Sequence, residues 1–119
     1  MPFTLLKNFI HGRYVDNSDN ARFDVINPST GQAVYAVESA CGTLLEQAVK
    51  SAQEGFKIWS KTPAIERARI LQRAAAILRE RNDELAKIEV IDTGKPWQEA
   101  VEVDVQTGAD AIEYFGNLC

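Results

Sequence analysis

Along the first 38 residues the apolar positions fall in short clusters of β-forming residues separated by turn residues. Asn8-Phe9-Ile10 and Arg13-Tyr14-Val15 flank His11-Gly12. Gly12 can take a positive φ, so this pattern predicts a tight hairpin. Asp16 to Ala21 is polar and predicts a loop. Phe23 and Val25 lie before Asn27-Pro28-Ser29-Thr30-Gly31, and Val34, Tyr35 and Val37 lie after it. Pro28 sets φ near −65°, about what the first corner of a turn needs, and Gly31 frees the backbone on exit. A second hairpin is expected there.

From residue 43 the apolar spacing becomes helical. Thr43-x-x-Glu46 has the form of a capping box, and Leu45, Ala48, Val49, Ala52 and Phe56 follow on one stripe. Thr62-Pro63 predicts the next helix start, with Thr62 as N-cap and Pro63 at the first helical position. Ala64, Ala68, Leu71, Ala75 and Leu78 then share a face. Asn82 is a candidate cap for a third helix carrying Leu85, Ile88 and Ile91, with Gly94 as its left-handed stop and Pro96 preventing continuation. A last helix is expected from about Val105, with Ala109, Ile112, Phe115 or Gly116, and Cys119 along one side. Its apolar period is still running at residue 119. Strands followed by helices give an α+β arrangement or one piece of a larger α/β domain. With two hairpins and four helices but no central sheet in view, residues 1–119 are expected to be an incomplete domain.

Composition narrows the function classes. The 119 residues are 45% hydrophobic and 25% charged, in the range of ordinary globular chains. The longest apolar run, Ala74 to Leu78, is far short of a membrane span. The opening MPFTLLKNFIHGR lacks the apolar core and cleavage site of a secretory leader. A cytoplasmic location without membrane attachment is therefore expected. The net charge of −4 opposes general nucleic-acid binding. One histidine and two scattered cysteines do not make a zinc site.

Isolated motifs carry little chemistry. Thr93-Gly94-Lys95-Pro96 ends like a phosphate-binding loop, but Glu89 stands at the first glycine position and Pro96 replaces Ser or Thr. It is read as a helix C-cap whose lysine complements the helix dipole. No G-x-G-x-x-G is present. Cys41 precedes a helix start and is read as a structural thiol. His11 sits in a turn without a nameable catalytic partner. Arg67, Arg69, Arg73, Arg79 and Arg81 interleave with Glu66, Glu80, Asp83 and Glu84, which predicts a solvated, salt-bridged face. Glu99, Glu102 and Asp104 form an acidic cluster before the last helix, with Asp104 where an N-cap or first-turn acid is expected. Asp92 is the least ordinary position. A carboxylate at a helix C-terminus adds to an already negative end, although carbonyls plus a carboxylate are what a hard cation prefers. From the residues alone Asp92 is read as a water-solvated carboxylate, with a cation ligand as the alternative.

The order of these motifs goes further. Phe9-Ile10-His11-Gly12-Arg13-Tyr14, Val25-Ile26-Asn27-Pro28-Ser29-Thr30-Gly31, Ala48-Val49 with Ala52 and Trp59, and Glu66-Arg67-Ala68-Arg69-Ile70-Leu71 resemble the opening of an aldehyde dehydrogenase. The resemblance continues through Leu78 to Ala86, Asp92-Thr93-Gly94-Lys95-Pro96, and Gly108-Ala109-Asp110 leading to Glu113-Tyr114-Phe115. Within that superfamily, Arg79 to Lys87, Ile91 to Lys95 and Val103 to Tyr114 resemble the bacterial betaine aldehyde dehydrogenase subgroup most.

The resemblance implies an α/β fold in which hairpins and four or more helices flank a Rossmann-like sheet lying elsewhere in the subunit. It implies NAD(P)-dependent oxidation of betaine aldehyde to glycine betaine by a soluble homo-oligomer, a dimer or tetramer. The family's thiolate attacks the aldehyde, the adduct passes hydride to the nicotinamide, and a glutamate activates water. None of those parts matches a residue here. Cys41 and Cys119 receive no catalytic role, no residue is assigned to the nicotinamide cofactor, and the chain alone is expected to be inactive and poorly folded. One site does carry over. The resemblance implies a K⁺ ion held by the carbonyls of Val25 and Ile26 and the carboxylate of Asp92. It also places Asp104, more loosely, at the mouth of a tunnel for a trimethylammonium substrate. Oxidation of another aldehyde, or a short non-catalytic interaction module, are the alternatives.

Overall fold

A computed structural model describes residues 4–17 and 21–119. Ser18, Asp19 and Asn20 of the expected polar loop, and the first three residues of the opening segment, lie outside the described residues. The chain forms two compact units, residues 1–61 and 62–119.

The first unit holds five strands and a helix: β1 (Thr4–Leu6), β2 (Asn8–Ile10), β3 (Arg13–Val15), β4 (Arg22–Asn27), β5 (Gln32–Glu38) and α1 (Gly42–Trp59). Both expected hairpins are present. β2 and β3 pair antiparallel, with Phe9 opposite Tyr14, and their rings meet edge to face at 5.2 Å. The turn places His11 at φ 54° and Gly12 at φ 75°, the two positive values a tight primed turn demands. In the second hairpin the Asn27 carbonyl accepts the Gly31 N–H at 2.8 Å. The Asn27 side chain accepts the Ser29 N–H at 2.9 Å, so Asn27 closes the turn twice.

The two hairpins do not exhaust the strands. β1 pairs parallel with β5, giving a three-stranded sheet in the order β1-β5-β4. Thr4, Leu5 and Leu6 carry no alternation strong enough to mark a strand, and their pairing depends on β5, about 30 residues away. Ala36 and Glu38 on β5 are buried. The Glu38 carboxylate accepts the Asn17 N–H at 3.2 Å, while its carbonyl accepts the Asn8 side-chain amide at 3.2 Å. A buried acid is thereby hydrogen-bonded, as burial requires.

Helix α1 corrects the capping expectation. It begins at Gly42 with Cys41 in the N-cap position. Thr43 therefore stands inside the first turn, its hydroxyl 3.1 Å from Cys41 Sγ. The residue that α1 buries is Leu44, while Leu45, Val49 and Phe56 of the expected stripe are exposed.

The second unit is helical: α2 (Ala64–Glu80), α3 (Asn82–Thr93), a short α4 (Trp97–Glu99), a π turn over Ala100–Asp104, and α5 (Val105–Asn117). Pro63, not Thr62, is the N-cap residue of α2. The Pro63 carbonyl accepts the N–H groups of Glu66 and Arg67 at 2.9 and 3.1 Å. Asn82 is likewise the first residue of α3, with Arg81 at its N-cap. Its side-chain amide instead donates to the Val101 carbonyl of the π turn at 2.9 Å. Gly94 stops α3 at φ 74° as expected, its N–H donating to the Val90 carbonyl. Helical backbone resumes at Trp97, eight residues before the expected Val105.

The core of this unit is a seam of small residues between α2 and α5. Ala75 and Ala109 are fully buried, as are Ala86 of α3 and Ala100 of the π turn. Gly116 brings α5 against α2 so closely that a methyl there would lie 3.0 Å from Leu71 Cβ. Polar contacts flank the seam. The Arg79 guanidinium bridges Asp110 at 2.7 Å and Glu113 at 2.5 Å, and Gln72 donates to Asn117 at 2.8 Å.

Candidate functional site

The three residues expected to hold a cation fall in different units, and each is described within its own. Val25 and Ile26 are in β4 at the one irregularity of the β4–β5 ladder. Val25 stands opposite Tyr35 but Ile26 opposite Ala33, so Val34 is an extra residue on β5. A bulge of this kind interrupts the regular pairing and re-aims backbone groups. Asp92 is the penultimate residue of α3 and is exposed. Among the described residues its carboxylate has no hydrogen bond or ion pair. The helix end beside it leaves carbonyls without intrahelical partners. Backbone carbonyls and carboxylates are each the hard oxygen groups that an alkali cation prefers.

The loop that follows Asp92 is ordered by its own residues. The Thr93 hydroxyl donates to the Glu89 carbonyl at 2.7 Å and accepts the Lys95 N–H at 3.3 Å. The Lys95 ammonium reaches Asp104 at 2.7 Å and Glu89 at 3.3 Å. These two acids, Asp104 foremost, hold the Lys95 pKa above the ordinary lysine range. Lys95 thus ties the end of α3 to the π turn through side-chain charge, rather than serving the helix dipole alone. Asp104 stands at the N-cap position of α5, as expected, but its backbone is already helical because the π turn it closes runs straight into α5, and its carboxylate is matched by Lys95 rather than by the helix N–H groups. A single π turn inserted in a helix commonly marks a functional position. Only the motif Thr93-Gly94-Lys95 signalled this arrangement in sequence, because the acid partners of Lys95 lie on other elements.

The arginine series is solvated in part. Arg81 pairs with Glu84 at 2.6 Å within the first turn of α3, and this bond pulls the Glu84 pKa below its ordinary value. Arg79 departs from the expected pattern, since its partners Asp110 and Glu113 come from α5 rather than from the interleaved acids. The two acids, Asp110 first, hold the Arg79 pKa above its usual value. Cys41 and Cys119 are both free thiols. Cys119 Sγ lies 3.5 Å from the Phe115 carbonyl, and Cys41 Sγ lies 3.1 Å from the Thr43 hydroxyl. Among the described residues, no three His, Cys, Asp or Glu side chains converge. No described helix is long and apolar enough to cross a membrane.

Comparison with known proteins fixes the class. Residues 14–119 match the aldehyde dehydrogenase family. A solved structure of an aldehyde dehydrogenase from Burkholderia cenocepacia superposes with TM-score 0.91 at 35% identity, over 95% of this chain and 23% of that one. PnpE in complex with nicotinamide adenine dinucleotide superposes with TM-score 0.91 at 32% identity, again over 95% and 23%. Betaine aldehyde dehydrogenase from Staphylococcus aureus superposes with TM-score 0.87 at 26% identity, over 94% and 23%. The chain belongs to the aldehyde dehydrogenase family. It has the α/β fold of that family's N-terminal portion, and it spans about a quarter of the length of the structures it matches.

Proposed function

We propose that these 119 residues are the N-terminal part of an NAD(P)-dependent enzyme that oxidises betaine aldehyde to glycine betaine. The observation that carries the reading is the match over residues 14–119 to a family whose solved members are about four times as long. Unsatisfied apolar surface supports incompleteness. Phe56, Ile58, Ile65 and Phe115 are each at least 60% exposed, and the buried apolar set is small residues with Leu44.

The substrate rests on the likeness of Arg79 to Lys87, Ile91 to Lys95 and Val103 to Tyr114 to the betaine aldehyde subgroup, and a betaine aldehyde dehydrogenase is among the structural neighbours. A second aldehyde is favoured by one observation: the aldehyde dehydrogenase from Burkholderia cenocepacia and PnpE share 35% and 32% identity, against 26% for that enzyme. The cysteine, glutamate and nicotinamide-binding residues belong to sequence beyond this portion. What this chain contributes is scaffold and, through Val25, Ile26 and Asp92, part of a K⁺ site. The cation would neutralise the Asp92 carboxylate beside the negative helix end, an arrangement otherwise disfavoured. The complete enzyme is a homo-oligomer in this reading.

The test is immunodetection in the source cells with an antibody raised against residues 66–87, followed by assay of the purified product. A product about four times the length of this chain is expected, in keeping with the 23% share. It should reduce NAD(P)⁺ faster with betaine aldehyde than with aliphatic or aromatic aldehydes. A faster rate with an uncharged aldehyde overturns the substrate. A product of 119 residues without aldehyde-dependent reduction overturns the enzyme and leaves an interaction module.

A further inference from the structure

In the first unit, the β2–β3 hairpin and α1 flank an open, solvent-facing cleft of about 240 Å³ whose polar lining includes His11, Arg13, Gln47, Lys50, Ser51 and Glu54. We propose that this cleft binds a small oxyanion, the phosphate or carboxylate group of a small molecule. Two elements are held in register for it by a hydrogen bond across 40 residues: His11 Nδ1 and Ser51 Oγ lie 3.1 Å apart. His11 stands at φ 54° as the tight turn requires, so the turn fixes where its ring leaves the hairpin. In the tautomer in which Nδ1 accepts from Ser51, the other ring nitrogen carries the hydrogen and is a donor.

The charge balance selects the ligand. Arg13 and Lys50 supply two permanent positive charges against the single carboxylate of Glu54, in a chain whose net charge is −4. Neither cation has an ion-pair partner among the described residues, nor has Glu54. The Glu54 carboxylate is therefore not spent on either of them. Guanidinium, ammonium, imidazole N–H and the Gln47 amide are donors, and donors of several geometries around one concavity match the acceptor-rich oxygens of an oxyanion. The volume is below that of drug-sized sites and suits one anionic group with a short substituent.

The experiment titrates inorganic phosphate, and separately acetate, into the gene product at its natural length, read by calorimetry at low salt. Saturable binding of either ion supports the site; tighter phosphate marks a phosphoryl ligand and tighter acetate a carboxylate. Arg13→Ala combined with Lys50→Ala should weaken binding at least about tenfold, the worth of a charge-assisted bond. Glu54→Gln should tighten it about threefold by removing the one repulsive charge. A gain of this kind does not arise from misfolding. Lys57→Ala, outside the lining, should leave affinity unchanged. Absence of saturable binding, or affinity that neither the double variant nor Glu54→Gln changes, overturns the proposal.

Discussion

Replacing Gly116 by alanine tests whether the α2–α5 seam is as tight as its geometry implies. Two effects oppose each other. Alanine in place of glycine within a helix stabilises by about 1 kcal/mol through backbone entropy. Against this, the new methyl lies 3.0 Å from Leu71 Cβ, with the Ala68 carbonyl at 3.7 Å and the Gln72 nitrogen at 3.8 Å. Carbon atoms prefer separations of about 3.5–4.0 Å, so the shortfall is about half an ångström or more. Leu71 Cβ is fixed to the main chain and cannot swing aside. Relief requires α5 to move from α2 along a seam where Ala75 and Ala109 are fully buried, and overpacking of this sort costs about 1–3 kcal/mol. The net expectation is destabilisation by about 1 kcal/mol. Gly108, in the same helix, has nothing within 4 Å of an added methyl. Gly108→Ala therefore gains the entropy alone and should stabilise by about 1 kcal/mol. The two variants should differ by about 2 kcal/mol, which corresponds to a urea midpoint difference of about 1 M for a typical slope. Urea unfolding followed by circular dichroism of both variants in parallel reads this out. Equal stabilisation by the two substitutions would refute the close approach.

Three further outcomes are expected. Gly94→Ala should destabilise by about 1–2 kcal/mol, because φ 74° is left-handed and alanine pays for its Cβ there; an unchanged unfolding midpoint would contradict the C-cap. Lys95→Met should lower stability at neutral pH. The folded pKa of Lys95 is raised, so its contribution is complete below the ordinary lysine value of 10.5 and is lost as pH rises through the raised value. The gap between the two chains should thus narrow at alkaline pH, and a gap constant from pH 7 to 11 would contradict the bridge to Asp104. In the complete enzyme, Asp92→Ala should abolish stabilisation by K⁺ as measured by thermal unfolding in KCl against tetramethylammonium chloride; undiminished K⁺ dependence would remove Asp92 from the cation site.

The sequence by itself determined the features whose causes are local. His11-Gly12, Asn27 through Gly31 and Gly94 make the turns and the helix stop their residue types dictate, since positive φ and side-chain-to-backbone hydrogen bonds are settled within a few residues. The family was legible for a related reason, because ordered motifs along the chain need no three-dimensional contact to be recognised. Other features were decided only by tertiary structure. β1 exists as a strand through its pairing with β5, and nothing in Thr4-Leu5-Leu6 demands it. The caps expected at Thr43, Thr62 and Asn82 lay one or two residues from the observed ones, whereas Asp104 does stand at the N-cap of α5; a capping residue type is a preference that neighbouring packing displaces. Helical backbone begins at Trp97 because the π turn, held by Asn82 and Lys95, carries the helix through a stretch of charges that resembles a boundary. Leu45, Val49 and Phe56 follow a helical period yet stay exposed. Periodicity identifies the face that seeks burial, and only the structure shows whether anything among the described residues covers it.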